Sequence, residues 1–158
     1  MSLERATRYL QSRGLADHII LPEHSSATVA EAAQALGCEP GMIAKTLSFL
    51  QGDRPVLILA EGTARIDNAK YKALFHCKAK MIPGDAVEAL IGHSVGGVCP
   101  FGVNENVTVY LDESLKLHEV VYPAAGTDHS AVRLTIADLM QACPDAQWID
   151  VCRMPENG

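Results

Sequence analysis

The chain has 158 residues, 48% of them hydrophobic and 20% charged, with a formal net charge of −6 at pH 7. These proportions belong to a soluble globular protein long enough for one real core. The acidic balance argues against gripping long nucleic acid by charge alone, but not against docking one RNA end. No run of eighteen apolar residues predicts a membrane-spanning helix. No apolar run follows Met1–Arg5 as it would in a signal peptide, so a cytoplasmic location is the default expectation. Cys38, Cys77, Cys99, Cys143 and Cys152 are odd in number and lack a Cys-x-x-Cys, so reduced, mostly buried thiols are expected rather than disulfides or zinc. The histidines show no His-x-x-x-His spacing, and neither metal nor cofactor is expected.

In chain order, Leu3, Ala6 and Leu10 have helical spacing, with Gly14 as a stop. Ile19–Leu21 is short and extended, ended by Pro22. Thr28 with Glu31 reads as a capping box opening a helix to Leu36, with Gly37 behind it. After Pro40-Gly41 the spacing predicts a strand over 43–50. Gln51-Gly52-Asp53 is a hairpin turn, and Val56–Ala60, apolar on both faces, reads as a central strand. Asp67 or Asn68 caps a helix through Phe75. Ala79–Ile82 is a candidate strand stopped by Pro83-Gly84, and Asp85–Ile91 a short helix ended by Gly92. Val107–Leu111 and Glu119–Tyr122 are strands, Val132–Leu134 is extended, Thr135–Asp138 starts a helix ending near Cys143-Pro144, and Trp148–Val151 closes as a strand. Helices and strands mix without strict alternation, which predicts α+β with a strongly curved mixed sheet rather than a doubly wound one. Residues 155–158 are expected to be a disordered tail.

Two stretches carry chemistry. Gly92-His93-Ser94-Val95-Gly96-Gly97-Val98-Cys99-Pro100-Phe101-Gly102 holds four glycines and a proline in eleven residues, with no charge. Such a segment is neither helix nor central strand, and its amides can turn towards one point as an anion nest or oxyanion hole. The simpler alternative is a tight turn without chemistry. In the second stretch, Ile43, Lys45, Leu47 and Phe49 share one face by period two, so Lys45 goes with the core face. A buried ammonium is costly unless paired or serving a site; snorkelling at a strand end is the alternative.

Together the Ile-Ala-Lys-Thr-Leu strand and the Gly-His-x-x-Gly-Gly-x-x-Pro-Phe-Gly loop resemble the YbaK/EbsC family, homologous to the editing domain of bacterial prolyl-tRNA synthetases. The resemblance spans Leu3 to Asp150. It implies a barrel-like mixed sheet surrounded by helices, with residues 1–154 as one aminoacyl-tRNA editing domain. It also implies trans-editing hydrolysis of mischarged aminoacyl-tRNA, with Lys45 and Gly97 as site residues. The amides of Gly96, Gly97 and Val98 would hold the ester oxygen, and water or the substrate's own ribose hydroxyl would attack. Lys45 would clamp the terminal phosphate or polarise the ester; a general base with depressed pKa is the alternative role. Thr46 stands beside the lysine at a position that varies in the family, which leaves acyl specificity open among small groups such as Ala, Ser, Thr or Cys on tRNA-Pro or a related tRNA.

Gly126-Thr127-Asp128-His129 resembles the family's late loop bordering the pocket. Gly126, Asp128 and His129, with Ser26, Pro100 and Phe101, are therefore candidate substrate contacts. Ser25-Ser26 also reads simply as a turn. Arg65, Lys70 and Lys72 fall in a basic stretch ending at Lys80 that suits an acceptor stem, or else is a solvated face. The expected partners are the acceptor end of aminoacyl-tRNA and, as a further candidate, prolyl-tRNA synthetase. A non-catalytic module that binds the aminoacyl end or a synthetase is the competing function. A small-molecule esterase using Cys99, six residues after His93, is a third.

Overall fold

The computed structural model describes residues 2–26 and 28–155. Residues 156–158 of the expected tail lie outside the described residues.

The architecture is built on β3 (Arg54–Glu61), in which every residue after Arg54 is buried. Its side chains alternate between two faces, as strand geometry requires. Val56, Ile58 and Ala60 join Phe49, Tyr71 and Val151 in one cluster. On the other face Leu57 packs with Ile82, Val87 and Ile91, and Leu59 with Phe101, Leu111 and Leu139. β2 (Ala44–Gln51) pairs antiparallel with β3 in the register Lys45↔Ala60 and Thr46↔Leu59, set by a turn in which Gly52 takes φ 69°. β5 (Thr108–Asp112) lies parallel on the other side of β3, and β9 (Gln147–Ile149) parallel outside β5. The order β2-β3-β5-β9 is thus a four-stranded mixed sheet.

Helices cover both faces. α3 (Asn68–Phe75), capped by the Asp67 carboxylate, sets Tyr71 and Phe75 on the Phe49 cluster. α1 (Ser2–Ser12) and α5 (Ile136–Ala142) bring Ala6, Leu10, Leu139 and Ala142 to the opposite core. α4 (Val87–Ile91) fills the third cluster. α2 (Val29–Leu36) starts as expected: Thr28 Oγ1 accepts the Glu31 N–H at 3.1 Å, a cap worth about 1 kcal/mol, and Gly37 ends it at φ 69°. α5 carries the full reciprocal box between Thr135 and Asp138. None of the described helices is long and apolar enough to cross a membrane.

The α+β class holds, but the barrel-like sheet does not. The four-stranded sheet stays open, and the other strands form three separate pairs: β1 (Ile19–Ile20) with β7 (Ala131–Val132), β4 (Arg65–Ile66) with β10 (Cys152–Arg153), and β6 (Val120–Val121) with β8 (Leu134–Thr135). Pairs of two residues are too short to carry the ladder around. The expected strand over 79–82 is only a bridge, Phe49↔Met81, made by Leu50 N–H to Lys80 O and Ile82 N–H to Ser48 O. Pro83, with no N–H, ends it. The extended stretch at 132–134 breaks at Arg133, whose N–H donates to His18 O instead of to a neighbour in β8's pair.

Candidate active site

The glycine loop leaves α4 through Gly92, at φ 108°. It is closed on itself by His93, which is fully buried and donates from Nε2 to Phe101 O at 2.6 Å. That bond fixes the proton on Nε2 and leaves Nδ1 without a partner among the described residues. Burial holds the ring's pKa below its usual value, so it is a neutral staple. Cys99 Sγ lies 3.5 Å from the same nitrogen, but burial pushes the thiol up to about 12 and its side chain is wholly enclosed. With a neutral histidine and no thiolate near pH 7, the esterase reading on Cys99 loses its nucleophile. All five cysteines are free.

The loop's amides divide unevenly. Gly97 N–H donates to Ser94 O at 3.0 Å, so it is taken up inside the turn. The N–H groups of Gly96, at φ 95°, and Val98 have no acceptor among the described residues. Gly97 has a steric task instead: a Cβ there would lie 2.2 Å from the carbonyl carbon and oxygen of Gly126. The two small-residue loops therefore meet backbone to backbone.

Beside them lies a cleft of about 430 Å³, whose walls include Gly96, Val98, Lys45, Thr46, Asp128 and His129. Ser26 joins the wall from the segment before α2, tied in by its N–H to Asp128 O at 2.6 Å. Ser130, which the sequence reading did not single out, holds the late loop: its Oγ accepts the N–H groups of Ala125 and Thr127, both at 3.1 Å. His129 Nδ1 and Asp128 Oδ1 pair at 3.1 Å, and both side chains are exposed. Thr46 Oγ1 is buried on the cleft wall with no hydrogen-bond partner among the described residues. A hydroxyl left so costs about 1–3 kcal/mol, which a ligand polar group would relieve. Ser48, buried and two residues on, lines the same wall. The alternation along β2 was the available signal for this pair.

Lys45 lines the cleft where β2 begins, but its ammonium is engaged elsewhere. Lys45 sits opposite Ala60 in the register, on the Leu47 and Phe49 side, while Thr46 and Ser48 take the other. Its Nζ donates to Ala64 O. Burial lowers its pKa, while Cys152 and Glu61 act in the opposite sense.

Other candidates lie apart. Phe101 is fully buried in the core against Tyr9, and Pro100 lines a separate cavity of about 350 Å³ with Tyr9 and Gly102. Neither lines the cleft, because the loop's exit beyond the His93 bond turns inward, so the structure does not bring these two expected contacts to it. Gly126 is likewise buried under Gly97. Arg65, Lys70 and Lys72 are exposed outside the cleft. Lys70 is tied by Nζ to Asp150 Oδ1 at 3.0 Å and Cys152 O at 2.9 Å, and the bond to Asp150 raises its pKa. Among the described residues no group of three or more His, Cys, Asp or Glu is placed to hold a metal ion.

A mixed α+β frame with a glycine-lined cleft beside a strand lysine defines the class. Residues 23–142 match the aminoacyl-tRNA editing domain, and the chain belongs to that family. It is 46% identical over 132 residues to the "Uncharacterized protein YwhH" of Bacillus subtilis (strain 168), covering 83% of this chain and 84% of that one. It is 28% identical over 125 residues to the proline–tRNA ligase of Limosilactobacillus fermentum, covering 73% of this chain but 22% of that longer protein. The solved structure described as "a putative trans-editing enzyme for prolyl tRNA synthetase" superposes with a TM-score of 0.86 at 33% identity, over 96% of this chain and 97% of that one.

Proposed function

We propose that this protein is a trans-editing aminoacyl-tRNA deacylase that hydrolyses the ester of small acyl groups on tRNA-Pro or a related tRNA. The observation that carries the reading is the pair of free amides, Gly96 and Val98, on the wall of a cleft that also holds Lys45. An acyl ester is already activated, so a modest barrier reduction is enough. Each preorganised donor to the developing oxyanion contributes about 3–4 kcal/mol. Two donors and a water, assisted by the adjacent ribose hydroxyl, make a sufficient site. Water attacks the carbonyl carbon, the ester C–O bond breaks, and the ribose oxygen leaves with the proton that the water gives up.

Lys45 serves this site as an anion clamp. Its ammonium rests on a neutral carbonyl, Ala64 O. A phosphate offers that ammonium a full opposite charge where Ala64 O offers only a carbonyl dipole, so the acceptor's terminal phosphate displaces that carbonyl. The orphan Thr46 hydroxyl and Ser48 meet the polar part of a small acyl group.

The direct test is a panel of aminoacyl-tRNAs incubated with the protein. Release of Ala, Ser, Thr or Cys is the expected result. Tight binding without release of amino acid would instead establish a capture module.

For the RNA, the exposed Lys72 has no ion-pair partner among the described residues, whereas Lys70 is held by Asp150. Lys72→Glu is expected to raise KM for aminoacyl-tRNA several-fold at low salt with kcat unchanged, the effect fading as salt screens it. Lys70→Glu raises KM and also lowers Tm, since it sets a second carboxylate against Asp150. Steady-state kinetics across a salt series, with thermal melts, checks both; an unaltered KM for Lys72→Glu would remove this face from the RNA path.

A further inference from the structure

The first helix precedes the matched family span, residues 23–142, yet it forms the underside of both loops at the cleft. Arg5 Nη1 donates to Gly92 O at 3.2 Å, at the start of the glycine loop. Arg5 Nη2 donates to Asn104 Oδ1 at 2.7 Å, just past the loop's end. Asn104 in turn donates from Nδ2 to Ala89 O and Leu90 O, so the clip reaches the end of α4. The contact is close on both sides: a Cβ at Gly92 would lie 2.5 Å from Arg5 Nη1, and one at Gly102 2.7 Å from Arg5 O. Ser2 completes the underside. Its Oγ accepts Ser94 N–H at 3.3 Å, and a Cβ at Gly126 would lie 2.4 Å from its carbonyl oxygen.

We infer that Arg5 is a positioning residue for the deacylation proposed above: it pins the two stems of the glycine loop so that the Gly96 and Val98 amides are held towards the cleft. A loop with four glycines has more backbone freedom to lose than one of the same length without them. The His93 bond to Phe101 O closes the loop from within; without Arg5 its stems lose their tie to α1, and the donors drift. A misplacement of about 1 Å at a reacting centre costs on the order of 100-fold in rate. Arg5 touches neither the cleft wall nor, on this reading, the substrate. Its loss should therefore appear in kcat and not in KM.

The test compares Arg5→Ala and Arg5→Lys with wild type. Arg5 is exposed, while α1 is anchored by buried Ala6 and Leu10, so both variants are expected to fold. Arg5→Ala is expected to lower kcat about tenfold or more with KM within twofold, and to speed amide hydrogen exchange at Gly97 and Asn104, whose N–H groups are bonded to Ser94 O and Ile91 O. Arg5→Lys retains an intermediate kcat, because one ammonium cannot bridge both acceptors. Millimolar guanidinium restores part of the activity of Arg5→Ala and none to Arg5→Lys. An Arg5→Ala protein with wild-type kcat and unchanged exchange overturns the inference, as does a loss of kcat that merely follows a fall in Tm. Wild-type protein inactive on the aminoacyl-tRNA panel would sink the deacylase reading instead. The exchange rates alone would then decide for or against Arg5 as the pin of the loop.

Discussion

Gly97→Ala is expected to remove hydrolysis by more than 100-fold and to lower stability by about 3 kcal/mol, the upper part of the range for overpacking a close contact. The added methyl meets backbone, not a flexible side chain. It would sit 2.2 Å from Gly126 C and O and 2.5 Å from Thr127 N, so one loop must withdraw. The late loop has no room to do so: Gly126 rests on Ser2 O, and Ser130 holds that loop through two amides. The glycine loop is the part that yields, and it carries the free amides. Gly96→Ala is the control. Its Cβ would stand 3.5 Å from Asp128 Cβ, an ordinary contact, so only the positive φ costs, about 1–2 kcal/mol. Thermal unfolding and kcat on the two variants check the pair; a Gly97→Ala protein with wild-type Tm would show that the loops do not touch.

The elements that were legible in the sequence are those with a local chemical signature. Thr28 with Gly37, Asp67 with Phe75, and Thr135 with Asp138 mark helix ends through side-chain caps, and each cap is made. The run Val56–Ala60 announced a strand buried on both faces, and β3 is that strand. The short pairs at the periphery were not legible. Two-residue strands such as β4 with β10 are defined by long-range partners, here Arg65↔Arg153 and Ile66↔Cys152, and no period exists in two residues. The expected barrel failed for the same reason: closure is decided by what lies beyond the sheet's edges, and local patterning carries no information about it.

The site was legible in outline because glycine and lysine break local rules. A glycine-dense stretch without charge and a lysine on a core face both ask for an explanation. What the pattern could not supply was the direction of each polar group. Gly96, Gly97 and Val98 look alike in sequence, yet a single 3.0 Å bond to Ser94 O takes Gly97 out of the donor set. Asp150, eighty residues from Lys70, is its ion partner, so the charge of the basic stretch is less free than the count of its lysines implies. Arg5 was passed over because an arginine on an amphipathic helix face is unremarkable until its two acceptors, 87 and 99 residues away, are brought to it.

Lys45→Met is expected to cost about 100- to 1000-fold in kcat/KM, comparable to removing one strong electrostatic contact from the transition state, while the protein stays folded. Methionine keeps an unbranched apolar stem on the same face of β2 and gives up only the bond to Ala64 O, about 1.5–3 kcal/mol net for a bond to a charged group. The pH dependence separates the two roles of the lysine. Burial lowers its pKa from 10.5. As a clamp it works only when charged, so the rate falls as pH rises through the lowered value, earlier than for an exposed lysine. As a general base it works only when neutral, and the rate would climb over the same interval. Stability runs opposite to the clamp. Between the lowered folded value and 10.5 the unfolded chain binds more protons, so the folded state gains as pH rises through that window. Lys45→Met should flatten both curves there. A wild-type rate that rises through the alkaline window, with the rise absent in Lys45→Met, would replace the clamp with a base.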